Sequence, residues 1–219
     1  MDDDESTWHL QAHGWAIHNR RQERMVLHMN WQVSLRRILI DGTVMCALLT
    51  VVIYGSIYID PLMWISDYPP DIKAAVGSTG TPAGLTVIAA TLSAVILFGM
   101  ILWSNKRLRR ENGGELPFLQ AFAHCALLLF FFAVWDLLIF DWLIFVTIQP
   151  GFVVIPGTEG LPGYKDYWFH FKECFLGWEA WISILVGGLV LAGLSMIRLG
   201  GRRRSEESTA AEDHTRSKT

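Results

Sequence analysis

The sequence predicts an all-α integral membrane protein: four transmembrane helices, both ends in the cytoplasm, and a long outer loop between helices 3 and 4. Three observations lead there. Hydrophobic residues make up 52% of the 219 positions, more than a soluble domain of this size requires. They fall into four runs of bilayer length separated by charged or turn-rich stretches. Fifteen of the eighteen lysines and arginines occupy alternate connections: five before the first run, four in 104–116 and six from Arg198 onward, leaving only Lys73, Lys165 and Lys172 for the other two. The positive-inside rule then keeps both ends and 104–116 inside, in what reads as a plasma (cytoplasmic) membrane.

Three units follow. Residues 1–37 are a cytoplasmic amphipathic and basic arm, in which Trp8, Trp15 and Trp31 alternate with arginines, a composition suited to a helix on the headgroup layer or to a partly disordered segment. The arm opens on polar and charged residues, which predicts no cleaved leader. Residues 38–197 form a four-helix membrane domain. Residues 198–219 are polar and nearly free of aromatics, and read as a disordered cytoplasmic tail.

The first span is expected over about 38–59. Asp41 lies one turn in from Arg36 and Arg37, a placement that suits a snorkelling ion pair at the interface. Tyr54, Tyr58 and Trp64 mark the far boundary as an aromatic belt. The second span, about 83–103, carries no charge, and Ala90/Ala94 and Ala89/Ser93 offer small faces for close packing. It is expected to stop at the basic stretch that starts with Lys106. The fourth, about 176–197, presents Gly187, Gly188, Ala192 and Gly193 as a smooth packing face.

The third run, about 118–148, is unusual. As one α-helix of 31 residues it would reach about 46 Å, against a hydrocarbon core of roughly 30 Å. It also contains His124, Asp136 and Asp141. Asp136 would stand about 27 Å above Phe118, close to the outer boundary. A carboxylate at membrane depth costs about 2.5 kcal/mol or more and usually faces a bundle interior or a cavity. On an ideal α-helix the two aspartates lie about 140° apart and share no face, whereas Trp135 and Trp142 do. No Pro or Gly stands between the aspartates to bend the helix.

The outer loop 149–175 is apolar and is cut into turns by alternating Pro and Gly, the pattern of a segment folded back on the membrane surface or between helices. It carries Glu159. Asp166, His170 and Glu173 follow at spacings that share one helix face. The candidate catalytic residues are therefore Asp136, Asp141, Glu159 and His170. Three readings of this acidic group stand side by side: interface residues held by ion pairs, a carboxylate doing proton chemistry in a low-dielectric pocket, and a divalent-cation site. No metal is assigned; Asp166, His170 and Glu173 are the set a cation would take.

Other motifs carry less. His9 and His13 have a metal-capable spacing but no fixed partner. His124 reads as a packed, hydrogen-bonded core histidine. Cys46 and Cys125 read as small buried hydrophobes and Cys174 as a surface thiol. The arginine runs flank membrane spans, so lipid contact and topology explain them without nucleic acid. The chain has no P-loop, no nucleophile elbow, no H-E-x-x-H and no paired Asp-rich diphosphate motif.

The function expected from this pattern is a small multi-pass membrane protein, a non-enzymatic accessory, resistance or transport-related factor. The alternative is a membrane-embedded enzyme using Asp/Glu general-acid chemistry on a lipid-like or terpenoid-like substrate near the outer leaflet. No cofactor is expected. The expected partners are the lipid bilayer, further copies of the chain and other membrane proteins.

Overall fold

The computed structural model describes residues 35–77 and 83–197. The first 34 residues of the amphipathic arm, with His9 and His13, and the whole predicted tail lie outside that range. Among the described residues there is no strand. Four helices are long and apolar enough to cross a membrane. They are α1 (Leu35–Ile59), α3 (Ala83–Glu111), α4 with its continuation (Phe118–Ile148) and α6 (Trp178–Met196). Short helices α2 (Pro70–Val76) and α5 (Tyr167–Phe171) belong to the connections.

The expected ends shift: the first long helix already includes Leu35, three residues before the expected start. The second long helix does not stop at Trp103 but runs two more turns. Its last turns are amphipathic: Ser104, Asn105 and Leu108 are buried while Lys106, Arg107 and Arg110 face out. Arg107 lies over the Trp103 ring at 5.4 Å and pairs with Glu111 at 3.9 Å, so the charges stabilise the helix on its own surface. The fourth helix starts two residues late, because Gly177 adopts an extended backbone (φ -71°, ψ 127°) that breaks it from the turn before.

Packing follows the small residues. Gly188 on α6 is buried, and a Cβ built there would stand 3.1 Å from the Ala126 Cβ on α4; a larger side chain would hold the helices apart. Gly187 meets Leu129 in the same way, whereas Gly193 faces open space and takes no part. One apolar core then joins all four helices, through Met45 and Leu49 of α1, Ile101 of α3, Leu128 of α4 and Leu191 of α6.

At the end that carries the arginines, polar groups tie the helices together. Ser104 donates to the Asp41 carboxylate at 2.6 Å and lies 2.9 Å from His124 Nε2. Asn105 donates to Ser195 at 2.7 Å. Asp41 is therefore buried in an interhelical network, not held in the snorkelling pair expected from its sequence neighbours. The reason is that Arg37 turns instead to Glu111 of α3. The Ser104 hydroxyl gives this buried carboxylate a hydrogen-bond donor in place of the expected arginine.

The opposite end is capped. The connection after α1 forms a 3₁₀ helix (Pro61–Asp67) and then α2. The loop from Gln149 folds onto it. Tyr68 donates to the Val153 carbonyl at 2.9 Å, and the Gly163 amide donates to Asp71 at 2.8 Å. Within the loop, Tyr164 accepts from the Ile155 amide and lies 2.8 Å from the Thr158 hydroxyl. Ile57, Ile72, Phe145 and Val153 complete an apolar cap core. The apolar character of this loop is thus used against the other loop.

Candidate functional site

The third helix changes its winding halfway. Phe118–Trp135 is α-helical, and Asp136–Ile148 closes as a π-helix. Its hydrogen bonds run from residue i+5 to residue i, as from the Gln149 amide to the Ile144 carbonyl at 2.8 Å. Thr147 adds a hydroxyl donor to the Trp142 carbonyl at 2.6 Å. Gln149 ends the run in the left-handed region (φ 47°), just before Pro150. In such winding, residues five apart stack one above the other, as residues four apart do in an α-helix. Asp136 and Asp141 therefore come onto one face, against the sequence expectation, and no Pro or Gly is needed to bring them there. Trp135 and Trp142 part company instead: Trp135 donates to Thr50 on α1 and Trp142 to the Tyr167 carbonyl.

A second π turn, Lys172–Leu176, follows α5. It delivers Cys174 to the same place. The Cys174 Sγ lies 3.9 Å from Asp136 Oδ2 and 3.7 Å from Asp141 Oδ2. His170, one α-helical turn earlier, puts its Nδ1 3.1 Å from Asp141 Oδ1. The imidazole is buried, edge-on to Phe145 at 5.0 Å and to Phe169 at 5.2 Å. Its Nε2 has no hydrogen-bond partner among the described residues. Among those residues, too, neither aspartate forms an ion pair with a lysine or arginine.

This cluster faces a partly open cavity of about 1000 Å³ lined by the four long helices and the cap. The wall is mainly apolar and aromatic, with Tyr54, Phe132, Phe140 and Phe145 prominent. Asp67, Asp136, Asp141 and Glu173 are its acids and Lys73 and His170 its bases, with the Tyr54 and Tyr68 phenols and the Cys174 thiol also in the wall. Lys73 is committed to the Ser66 carbonyl at 3.0 Å. Phe98 of α3 and Ile182 and Val186 of α6 line the cavity and remain accessible, at 46%, 46% and 52%. The polar contacts between α3 and α6 lie at the arginine end, at Asn105–Ser195 and Arg109–Met196.

Outside the membrane-crossing helices the electrostatics are clear in direction. Burial, and then the fields of Asp136 and Asp141, hold the Cys174 thiol above its ordinary value. Desolvation raises the Asp67 carboxyl at the rim, with Ser66 acting in the opposite sense. The backbone amides of Glu159 itself and of Gly157 hold the Glu159 carboxyl low.

The candidate residues therefore separate. Asp136, Asp141 and His170 meet in the cavity. Glu159 lies out in the loop, its carboxylate accepting the Gly157 amide at 2.9 Å. Asp166 caps α5 by accepting the Phe169 amide at 2.9 Å, and among the described residues the ligand atoms that lie close together are those of Asp136, Asp141 and Cys174, not of Asp166, His170 and Glu173. Cys174, expected as a surface thiol, is only partly exposed and lines the cavity beside the two aspartates. The signal was its four-residue spacing from His170, which puts a thiol and an imidazole on one side of a helical turn.

Comparison with known protein families, curated proteins and solved structures gave no match.

Proposed function

We propose that the protein is a membrane-embedded enzyme acting on a lipid-like or terpenoid-like amphiphile. The substrate's apolar body occupies the cavity and its polar end meets the Asp136–Asp141–His170 group. The observation that carries this reading is the placement of two carboxylates, five residues apart, on one face of an aromatic-lined chamber. A large apolar pocket with a few convergent polar groups is the usual form of a small-molecule site. Carboxylates splayed toward water or toward lysines would have supported the accessory role instead.

The chemistry in reach is proton transfer. Asp141 fixes the His170 ring and its tautomer, which leaves Nε2 free to exchange a proton. Asp136 stands beside it as a second acid–base group. In the bilayer, the proposed path of entry is the gap between α3 and α6, where chamber-lining side chains are also accessible. Four crossings with both ends cytoplasmic, supported by the distribution of basic residues, would place the chamber in the outer leaflet.

The test is a purified full-length chain reconstituted in nanodiscs made with the total lipid extract of its host membrane. Mass spectrometry of bound and free lipids is compared for wild type and for Asp136→Asn and Asp141→Asn. The expected result is an amphiphile retained by wild type and a species converted only by wild type. Retention without conversion returns the protein to the accessory or transport class. Neither retention nor conversion overturns the chamber as a binding site.

A further inference from the structure

We infer that Asp136, Asp141 and Cys174 form a binding site for a divalent transition-metal cation of the zinc type, with His170 positioning Asp141. The inference deepens the reading of the same chamber and rests on that chamber being the working site: it supplies a Lewis acid at the chamber's polar wall, with Asp136 then serving as a ligand and the acid–base role passing to His170 and a metal-bound water.

Three observations support it. The first is donor geometry. One ligand atom from each of the three residues lies within 4.8 Å of the others. Tetrahedral zinc, with metal–sulfur near 2.3 Å and metal–oxygen near 2.0 Å, sets sulfur–oxygen edges of about 3.5 Å. The two measured Sγ–Oδ2 separations, 3.7 and 3.9 Å, are close to that edge. Small rotations of the side chains, without backbone movement, would close the set.

The second is charge. Two carboxylates and a thiol face each other in an apolar wall, with no lysine or arginine paired to them among the described residues. Burying carboxylates without a counter-charge is costly. A divalent cation neutralises the group, and the mixture of thiol and carboxylate oxygen selects a borderline-soft metal over Mg²⁺ or Ca²⁺.

The third is His170. It is 4% exposed, and its Nδ1 meets Asp141 Oδ1, the oxygen that does not face Cys174. That is the arrangement of an outer partner that orients a ligating carboxylate. His170 lines the same chamber, and its Nε2 is buried and unpartnered among the described residues. The two π turns deliver the ligands: one stacks Asp136 and Asp141, the other presents Cys174. Helical π segments are rare and are frequently found at functional sites. Three protein ligands leave a fourth position for water or substrate, as catalytic zinc sites do.

The experiment is Co²⁺ titration of the full-length protein in detergent after chelator treatment, followed by Zn²⁺ competition. The expected result is about one Co²⁺ per chain with a thiolate-to-cobalt absorption band, displaced by Zn²⁺. Asp136→Asn and Cys174→Ser should abolish the stoichiometric binding, and His170→Asn should weaken it by about 10- to 100-fold while keeping the band. A second measurement does not depend on variants folding. Cys46 and Cys125 are buried at 0% exposure, so alkylation of the native protein reads Cys174, and Zn²⁺ should change its rate by at least about tenfold because coordination converts the thiol into a metal-bound thiolate. Equal alkylation with and without Zn²⁺, or Co²⁺ binding that is the same in wild type and Cys174→Ser, overturns the site. A chain that binds no metal yet retains an amphiphile overturns the metal and leaves the chamber. A chain that binds metal and no amphiphile supports the metal and removes the substrate reading.

Discussion

Tyr68 shows how single side chains hold the cap over the chamber. Its hydroxyl donates to the Val153 carbonyl inside the cap core, and its ring packs against Phe145 at 5.1 Å. Tyr68→Phe keeps the ring and leaves a buried carbonyl unpaired, which should cost about 1–3 kcal/mol. Proteolysis at the exposed turn around Gly157–Gly160 is the measurement, and the variant should be cut faster. Burial, and then the nearby Tyr164 and Asp67, raise the Tyr68 phenol above its ordinary value. An acid raised in the folded state stabilises it below the ordinary phenol value of about 10 and loses that contribution as pH climbs above it. Cap protection should therefore hold up to about pH 10 and fall progressively above it in wild type, and fall less steeply in Tyr68→Phe. At this scale the sequence was readable only in part. Asp136, Asp141 and His170 stood out as polar residues in apolar surroundings, and all three reach the cavity. Asp41 was misread because its nearest bases in sequence, Arg36 and Arg37, are not its partners in space.

The elements carry what a helical wheel of fixed period cannot. Helix positions were legible because hydrophobic length decides them. The facing of Asp136 and Asp141 was not, because it depends on whether the turn closes after four residues or five, and the residue types of 136–148 are compatible with either. A π-helix has a more open turn and weaker packing along its axis. Backbone amides of 141–149 should therefore exchange with solvent faster than those of Leu128–Trp135 in the same helix, as read by hydrogen exchange of the reconstituted protein. The α4–α6 contact gives a second element-level prediction. Gly188→Leu forces a side chain against Ala126, where a Cβ alone already stands at 3.1 Å. Overpacking of this kind should destabilise by about 1–3 kcal/mol and lower the thermal midpoint in detergent, while Gly193→Ala, facing open space inside the helix, should raise it slightly, through about 0.4–1 kcal/mol of helix propensity.

Across the whole molecule, polar chemistry is divided between two ends. The arginine end uses its polar groups for interhelical hydrogen bonds that join α1, α3 and α4 through Asp41, Ser104 and His124. The capped end uses Tyr68, Asp71 and Tyr164 to hold the cap together and turns Asp136, Asp141, His170 and Cys174 to the chamber. The skew of basic residues predicts that the arginine end faces the cytoplasm, so reporter fusions after residue 114 and after 197 should be active only as cytoplasmic reporters, and fusions after residue 77 only as exported ones.

The central claim is that π winding gathers Asp136 and Asp141 beside Cys174 inside the chamber. It is tested most directly by Asp141→Cys in a background where Cys46 and Cys125 are replaced by alanine, treated with dibromobimane, a short cross-linker that fluoresces only after both ends react. The prediction is fluorescence from a bridge between the thiol introduced at position 141 and Cys174, and none from Leu138→Cys in the same background, because Leu138 faces outward at 46% exposure. Two singly alkylated thiols in the Asp141→Cys protein, or equal bridging from position 138, would contradict it.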